Sequence, residues 1–517
     1  MKKIWIVIFT LLSVSCNDWL EINSEKSVTL SEYFKNESEL ETWMNGILAG
    51  ERGLEAKGSI NTYGYAGLFC DDAGSSEGAR RLDWQYYLDH TDNWKAHFDA
   101  IYLANVMRDS REQFENVSSE RADFWLAQAS FVKAYAYFDL VRRWGEVPIP
   151  LNSEEVLALP KRAVQDVLDE AIRCAEAALI LPIHEKLSDS YGAAITSKQY
   201  ASLGTVHTLL ANIYAWMGGL YGKKEYWEKA EQEASLVIGG KAGNYDLEPD
   251  IAQMVKNCLG KVRNSKETIF NIELSPLDID RLNVTRLEEY YPGMALLNYP
   301  YMEATPKEIE TDVDASKIKV KTVRQLYPES QDQRLKEFWF NLGQVGWYEH
   351  TSPDDSVKVY SEYAFLNKWK EPIYQTNPEL QDDYTGVIAM DGNRVIWRLA
   401  DLILLRAECR ARLGLATAKD DLDRIRLRAG LPKYSGSTDP EILRKEIFKE
   451  RERELFGEGQ RYYDIVRNGY YREELLGNFK TLSDNDVENG ALYLPVGQSA
   501  FVKNIYMKQN TYWLWHQ

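Results

Sequence analysis

Apolar residues recur at three- and four-residue spacing over much of the chain, and the longest such run covers residues 121–144. Phe124, Ala127, Phe131, Ala134, Tyr135, Phe138 and Val141 share one helical face there, and Gly145 and Pro148 end the run. Leu40, Trp43, Met44 and Ile47 form a stripe on an earlier helix, with Thr29 or Ser31 as its expected cap. Phe98, Ile101 and Tyr102 mark a helix over residues 94–107, and residues 164–181 are amphipathic throughout. Residues 197–218 and 226–238 read as two facing helices. Leu209, Leu210, Tyr214 and Met217 oppose Trp227, Ala230, Ala234 and Ile238, and the small residues let the helices approach. Residues 400–413 and 418–428 repeat the arrangement.

The last pair carries an unusual charge pattern. Leu443, Ile447 and Leu455 can share one face, but Lys449-Glu450-Arg451-Glu452-Arg453-Glu454 lie between them. Six consecutive charges point in every direction around a helix, so some must face whatever it packs on. Arg461, Asp464 and Arg467 then put three charges on one side of the next helix. Buried charges demand partners, so the expected role is an ion network that locks two helices; a carboxylate-rich catalytic site is the weaker reading. Helix pairs of this size resemble tetratricopeptide hairpins and imply a stacked, mostly α scaffold.

Two stretches break the periodicity. Residues 59–88 are punctuated by Gly64, Gly67, Gly74 and Gly78, and residues 240–393 are rich in Pro, Asp and Asn. The second is too long for a structureless loop, so an irregular subdomain laid on the helices is expected. Both hold many of the chain's 15 Trp and 32 Tyr. The division that follows is 1–15 signal peptide, 16–58 tether and first helix, and 59–240 helical scaffold with N-terminal binding loops. Residues 241–393 form the inserted subdomain, and 394–517 the C-terminal helix pairs and tail.

The net charge of −18 over 517 residues, with no long basic stretch, excludes the cationic face that nucleic-acid binding needs. Six scattered histidines, no metal-ligand spacing and no nucleophile or phosphate-loop motif argue against turnover, a metal or a cofactor. Asp71-Asp72 is expected to be solvated, with a glycosidase acid or a Ca²⁺ ligand as lesser readings. At the start, Lys2 and Lys3 precede a short apolar run and Leu12-Ser13-Val14-Ser15-Cys16. The run is too short to span a bilayer, and the residues before Cys16 resemble a lipobox, which marks Cys16 for acylation. Cys174 and Cys409 are expected in the core; Cys70 and Cys258 fall in loops, and a disulfide between them is left open.

Two long segments carry a family resemblance. KERERELFGEGQRYYDIVRNG resembles the C-terminal signature of the SusD-like (RagB/SusD) family, and RADFWLAQASFVKAYAYFDLVRRWGEVPIP resembles its long central helix, with Gln128 where Gly is usual and Lys133 where Arg is usual. Residues 94–105 match a third pattern with Phe98 in place of Tyr, which makes Trp94 structural. Val496-Gly497 and Gln509-Asn510-Thr511-Tyr512 are partial copies of the family's tail. The resemblance implies an outer-membrane, surface-facing lipoprotein that binds oligosaccharide and works with a TonB-dependent transporter. A peptide-capturing member, or a helical glycoside hydrolase, are the alternatives. A sugar ring offers an apolar face to indole or phenol and a hydroxyl rim to Arg, Asn or Asp. By position and resemblance the candidate ligand residues are Arg81, Trp84, Tyr86, Tyr290, Tyr291, Trp339 and Trp347.

Overall fold

A computed structural model of the chain describes residues 33–56, 81–90, 94–155, 158–260, 262, 265–273, 318–352, 355–376, 385–390, 392–502 and 504–516. The expectations for Cys16, Thr29, Ser31, Cys70, Asp71-Asp72, Tyr290 and Tyr291 lie outside the described residues.

The first half is a succession of helices: α1 (Glu37–Ala56), α2 (Trp84–His90), α3 (Lys95–Asp109), α4 (Ser119–Trp144), α5 (Val164–Ala177), α6 (Leu203–Tyr221) and α7 (Lys224–Ile238). Several begin or end on local caps. The cap of α1 is Asn36, whose side chain accepts the Glu39 N–H at 3.1 Å. Ser118 caps α4, and Gly145, at φ 72°, ends it. Ser202 and Thr205 cap α6 reciprocally. Gly218 lets α6 and α7 meet, because a Cβ there would sit 2.5 Å from the Trp227 ring. Neighbours in the chain are neighbours in space: α1 packs on α3 and α4, α4 on α3 and α5, and α6 on α5 and α7. The departures at Gln128 and Lys133 are absorbed. Gln128 makes two bonds to the Ala201 backbone, at 2.8 and 2.9 Å, and Lys133 Nζ reaches Asn105 Oδ1 at 2.9 Å and Glu170 at 3.2 Å.

A short helix α8 (Ile251–Met254) runs into a single π turn, Val255–Leu259, that buries Cys258 against Thr268 Oγ1 at 3.2 Å. Cys258 is therefore in a helical turn and not a loop; Cys174 and Cys409 are core residues as expected. Next come β1 (Thr268–Ile272), β2 (Ile318–Lys319), α9 (Val320–Leu326), α10 (Gln333–Phe338), β3 (Trp339–Phe340), β4 (Gly346–Ser352), β5 (Asp355–Tyr360), β6 (Tyr363–Leu366), β7 (Pro372–Thr376), β8 (Thr385–Met390) and β9 (Arg394–Arg398). β1 pairs antiparallel with β9, Phe270 opposite Trp397, so the two ends of this segment are tied together. The other strands form three small antiparallel sheets. The segment is thus less irregular than the sequence implies. Its hairpins satisfy backbone groups by pairing but bury few side chains: β5 is exposed along nearly its whole length, so no apolar alternation announces it.

The chain returns to helices in α11 (Leu399–Arg412), α12 (Ala418–Arg428), α13 (Pro440–Leu455) and α14 (Arg461–Asn468). α11 packs on α7, α12 and α13, which joins the two helical halves. The charged run lies inside, as expected. Glu450, Arg451 and Glu454 are buried, and their partners come from distant elements. Glu454 meets Arg334 at 3.3 Å, Arg398 at 2.7 Å, and Arg428. Arg398 also holds Glu267 and Glu458, each at 2.8 Å; Arg334 holds Glu450 and Asp332, each at 2.7 Å. Arg451 bridges Asp401 and Asp464, and Arg467 bridges Asp464 and Glu408. The network staples α10, β9, α11 and α12 to α13 and α14.

Candidate functional site

The tail after α14 folds back across α2 and the end of α4. It is held by amide side chains that replace strand pairing. Gln509 brackets Val496, accepting its N–H at 2.8 Å and donating to its carbonyl at 2.9 Å. Asn510 donates to the Trp144 and Leu494 carbonyls and accepts from Lys161 Nζ at 2.7 Å. Trp513, fully buried, donates to the Tyr493 carbonyl at 2.7 Å. These bonds give Gln509 and Asn510, the Gln-Asn pair of the tail pattern, a structural role.

Between this tail and α2 lies an open groove of about 780 Å³. Trp84 forms one wall. One part of its ring packs on Trp513, centroids 6.0 Å apart, and the half-exposed remainder lines the groove. Phe501, Tyr506 and Leu514 of the tail line it from the other side, all partly or largely exposed. Glu146, Lys161, Gln498, Lys508 and Thr511 supply polar groups. The Lys161 side chain is 6% exposed and lies 3.5 Å from Glu146. Burial pushes its ammonium below the ordinary lysine value, against the pull of Glu146. Flat rings and fixed donors and acceptors facing one open trough are what a sugar chain needs.

The structure separates the other candidates. Arg81 and Tyr86 flank Trp84 but do not line the groove; the Arg81 carbonyl accepts a bond from Asn478 at 2.6 Å, and Tyr86 packs edge-on to buried Tyr87. Trp347 sits half-buried on β4, its indole N–H donating to Glu349 at 3.0 Å, and does not line the groove. Trp339 is a correction: it is 4% exposed, its ring 4.9 Å from Phe456 and 6.2 Å from Tyr327, so it belongs to the core. Trp94 is buried beside Trp144, in line with its structural role. The tail residues Phe501, Tyr506 and Lys508 escaped the sequence reading because their neighbours across the groove lie hundreds of positions away; the only local signal was aromatic residues in a tail without helical period.

A family described as the SusD family matches residues 290–513, and one described as "Starch-binding associating with outer membrane" matches residues 18–214. Among curated proteins, SusD-like protein P2 of Formosa agariphila is 24% identical, with 98% of each chain covered, and SusD-like protein P25 of the same organism is 21% identical, covering 91% of this chain and 90% of its own. Among solved structures, a SusD homolog from Bacteroides thetaiotaomicron superposes with a TM-score of 0.70 at 21% identity, over 93% of this chain and 99% of the other. B. fragilis NanU superposes with a TM-score of 0.67 at 19% identity, over 94% and 99%. Matched at both ends by family patterns and along nearly its whole length by relatives of the same helical fold, this chain belongs to the SusD-like family.

Proposed function

We propose that the chain is a surface lipoprotein that captures oligosaccharide and passes it to a TonB-dependent outer-membrane transporter. The observation that carries the reading is the groove between Trp84 and the tail, where an aromatic wall faces fixed polar groups. The starch-binding, outer-membrane description of the family matched over residues 18–214 supports it. Binding rather than turnover is favoured by the groove's chemistry. Glu146 is the single carboxylate among its described lining residues, whereas glycoside hydrolysis uses two across the scissile bond. Attachment would be through acylated Cys16, which closes the lipobox-like stretch Leu12-Ser13-Val14-Ser15-Cys16. A glycan array probed with the full chain in mild detergent tests the binding, and copurification with a barrel transporter tests the partnership. An array without signal, together with normal glycan uptake in a strain lacking the protein, would overturn the proposal.

A further inference from the structure

The charge of the groove runs against the charge of the chain. The protein carries 79 acidic residues, yet none occurs between positions 489 and 517, while Lys503 and Lys508 do. Of the ionisable groups lining the groove, two are ammonium groups, Lys161 and Lys508, and one is the Glu146 carboxylate. Glu146, half exposed, lies 3.5 Å from Lys161, so that pair carries no net charge and the surplus is the charge of Lys508. Lys508 stands exposed on the lip and makes no ion pair among the described residues.

Donor counting sharpens the point. An ammonium has three N–H donors and accepts nothing. Lys161 has two acceptors, Asn510 at 2.7 Å and Glu146 at 3.5 Å, which leaves one donor for a ligand in a nearly closed position. Lys508 brings three more. A neutral sugar hydroxyl both donates and accepts, so it gains no particular advantage from donors that accept nothing. A carboxylate or sulfate ester only accepts, so it matches the surplus of donors and charge. In a molecule of net negative charge, a local basic trough is where an anionic glycan meets less repulsion.

We infer that the groove selects oligosaccharides bearing an anionic group, carboxylate or sulfate, with the charge seated between Lys161 and Lys508 and the ring faces on Trp84 and Tyr506. This rests on the glycan-binding reading above and names the ligand class for the same site.

The test is calorimetry on the full chain in mild detergent with four probes: an oligogalacturonate, the same oligosaccharide after carboxyl reduction, a sulfated carrageenan oligosaccharide, and neutral maltohexaose. The anionic probes should bind about fivefold more tightly than the reduced one, since a single charge contact in an open site is worth about one kcal/mol. The preference should shrink as salt rises. Lys508→Glu should abolish it with an unchanged melting temperature, because that side chain is exposed. Lys161→Met serves as a second variant from inside the groove. Uronate and sulfate arms decide which anion is the natural source. Equal binding of parent and reduced oligosaccharides, or binding of maltohexaose alone, overturns the charge selection and leaves glycan capture standing. No binding of any probe, together with an empty glycan array, overturns both.

Discussion

Arg451 Nε lies 2.8 Å from Asp464 Oδ2 with both side chains almost wholly enclosed, so one ion pair joins α13 to α14 inside the protein. Arg467 shares the same carboxylate at 2.7 Å. Asp464→Ala would leave two buried guanidinium groups short of a partner. Removing one member of such a pair costs about 3–5 kcal/mol. Chemical denaturation should show a clearly lower midpoint, while the folded fraction keeps its glycan affinity. A variant of unchanged stability that loses ligand would place the cluster in the binding site instead.

The network also sets an acid limit. Burial alone would raise the Glu408 carboxyl, but Arg467 and Arg412 outweigh it and bring it from the usual 4.5 to about 2. Glu454 is likewise held well below its usual value by Arg428, Arg398 and Arg334 against burial. A carboxyl depressed in the folded state stabilises it above the unfolded value, and that stability is lost as pH falls through the folded one. Between pH 4.5 and 2, unfolding free energy should therefore drop, by about 3 kcal/mol from Glu408 alone. Asp401, raised by burial despite Arg451, works in the opposite sense. Urea titrations across that range check the slope, and Glu408→Gln should flatten it.

Asn510 ties three parts of the chain with one side chain: the end of α4 through Trp144, the tail through Leu494, and the groove through Lys161. Asn510→Ala would strand two carbonyls and remove the main acceptor of a buried ammonium. The expected loss is about 1–3 kcal/mol for the unsatisfied groups, with weaker ligand binding from a displaced Lys161. Thermal unfolding read beside calorimetry separates the two effects.

Trp84 and Trp347 were both candidate ligand residues, and their positions now predict different outcomes. Trp84→Ala removes a groove wall and should weaken glycan binding by about tenfold while circular dichroism stays native, a loss in the range of one aromatic contact. Trp347→Ala, on the β4–β5 hairpin, should change affinity much less. Equal losses would extend the site to that hairpin; unfolding of Trp84→Ala would return that ring to the core.

Cys16→Ala should abolish incorporation of labelled fatty acid and release the protein from the membrane fraction, since the apolar run before Cys16 is too short to hold it. Label retained on the variant would refute acylation at Cys16.

Much of this molecule is local in origin. The period of Phe124, Phe131, Tyr135 and Phe138 dictates α4, because a helix with one apolar face has a single way to leave water. The facing residues of α6 and α7, and the need to pair six consecutive charges, are legible for the same reason: spacing along the chain fixes direction around a helix. What spacing cannot fix is which distant groups arrive. Nothing near Glu454 announces Arg334, Arg398 and Arg428 as its partners, and nothing near Trp339 reveals that Phe456 will cover it. Trp84 and Trp339 look alike in sequence, as tryptophans in non-periodic segments. One lines a groove and the other fills the core, because exposure depends on contacts closed only when residues far apart in the chain come together.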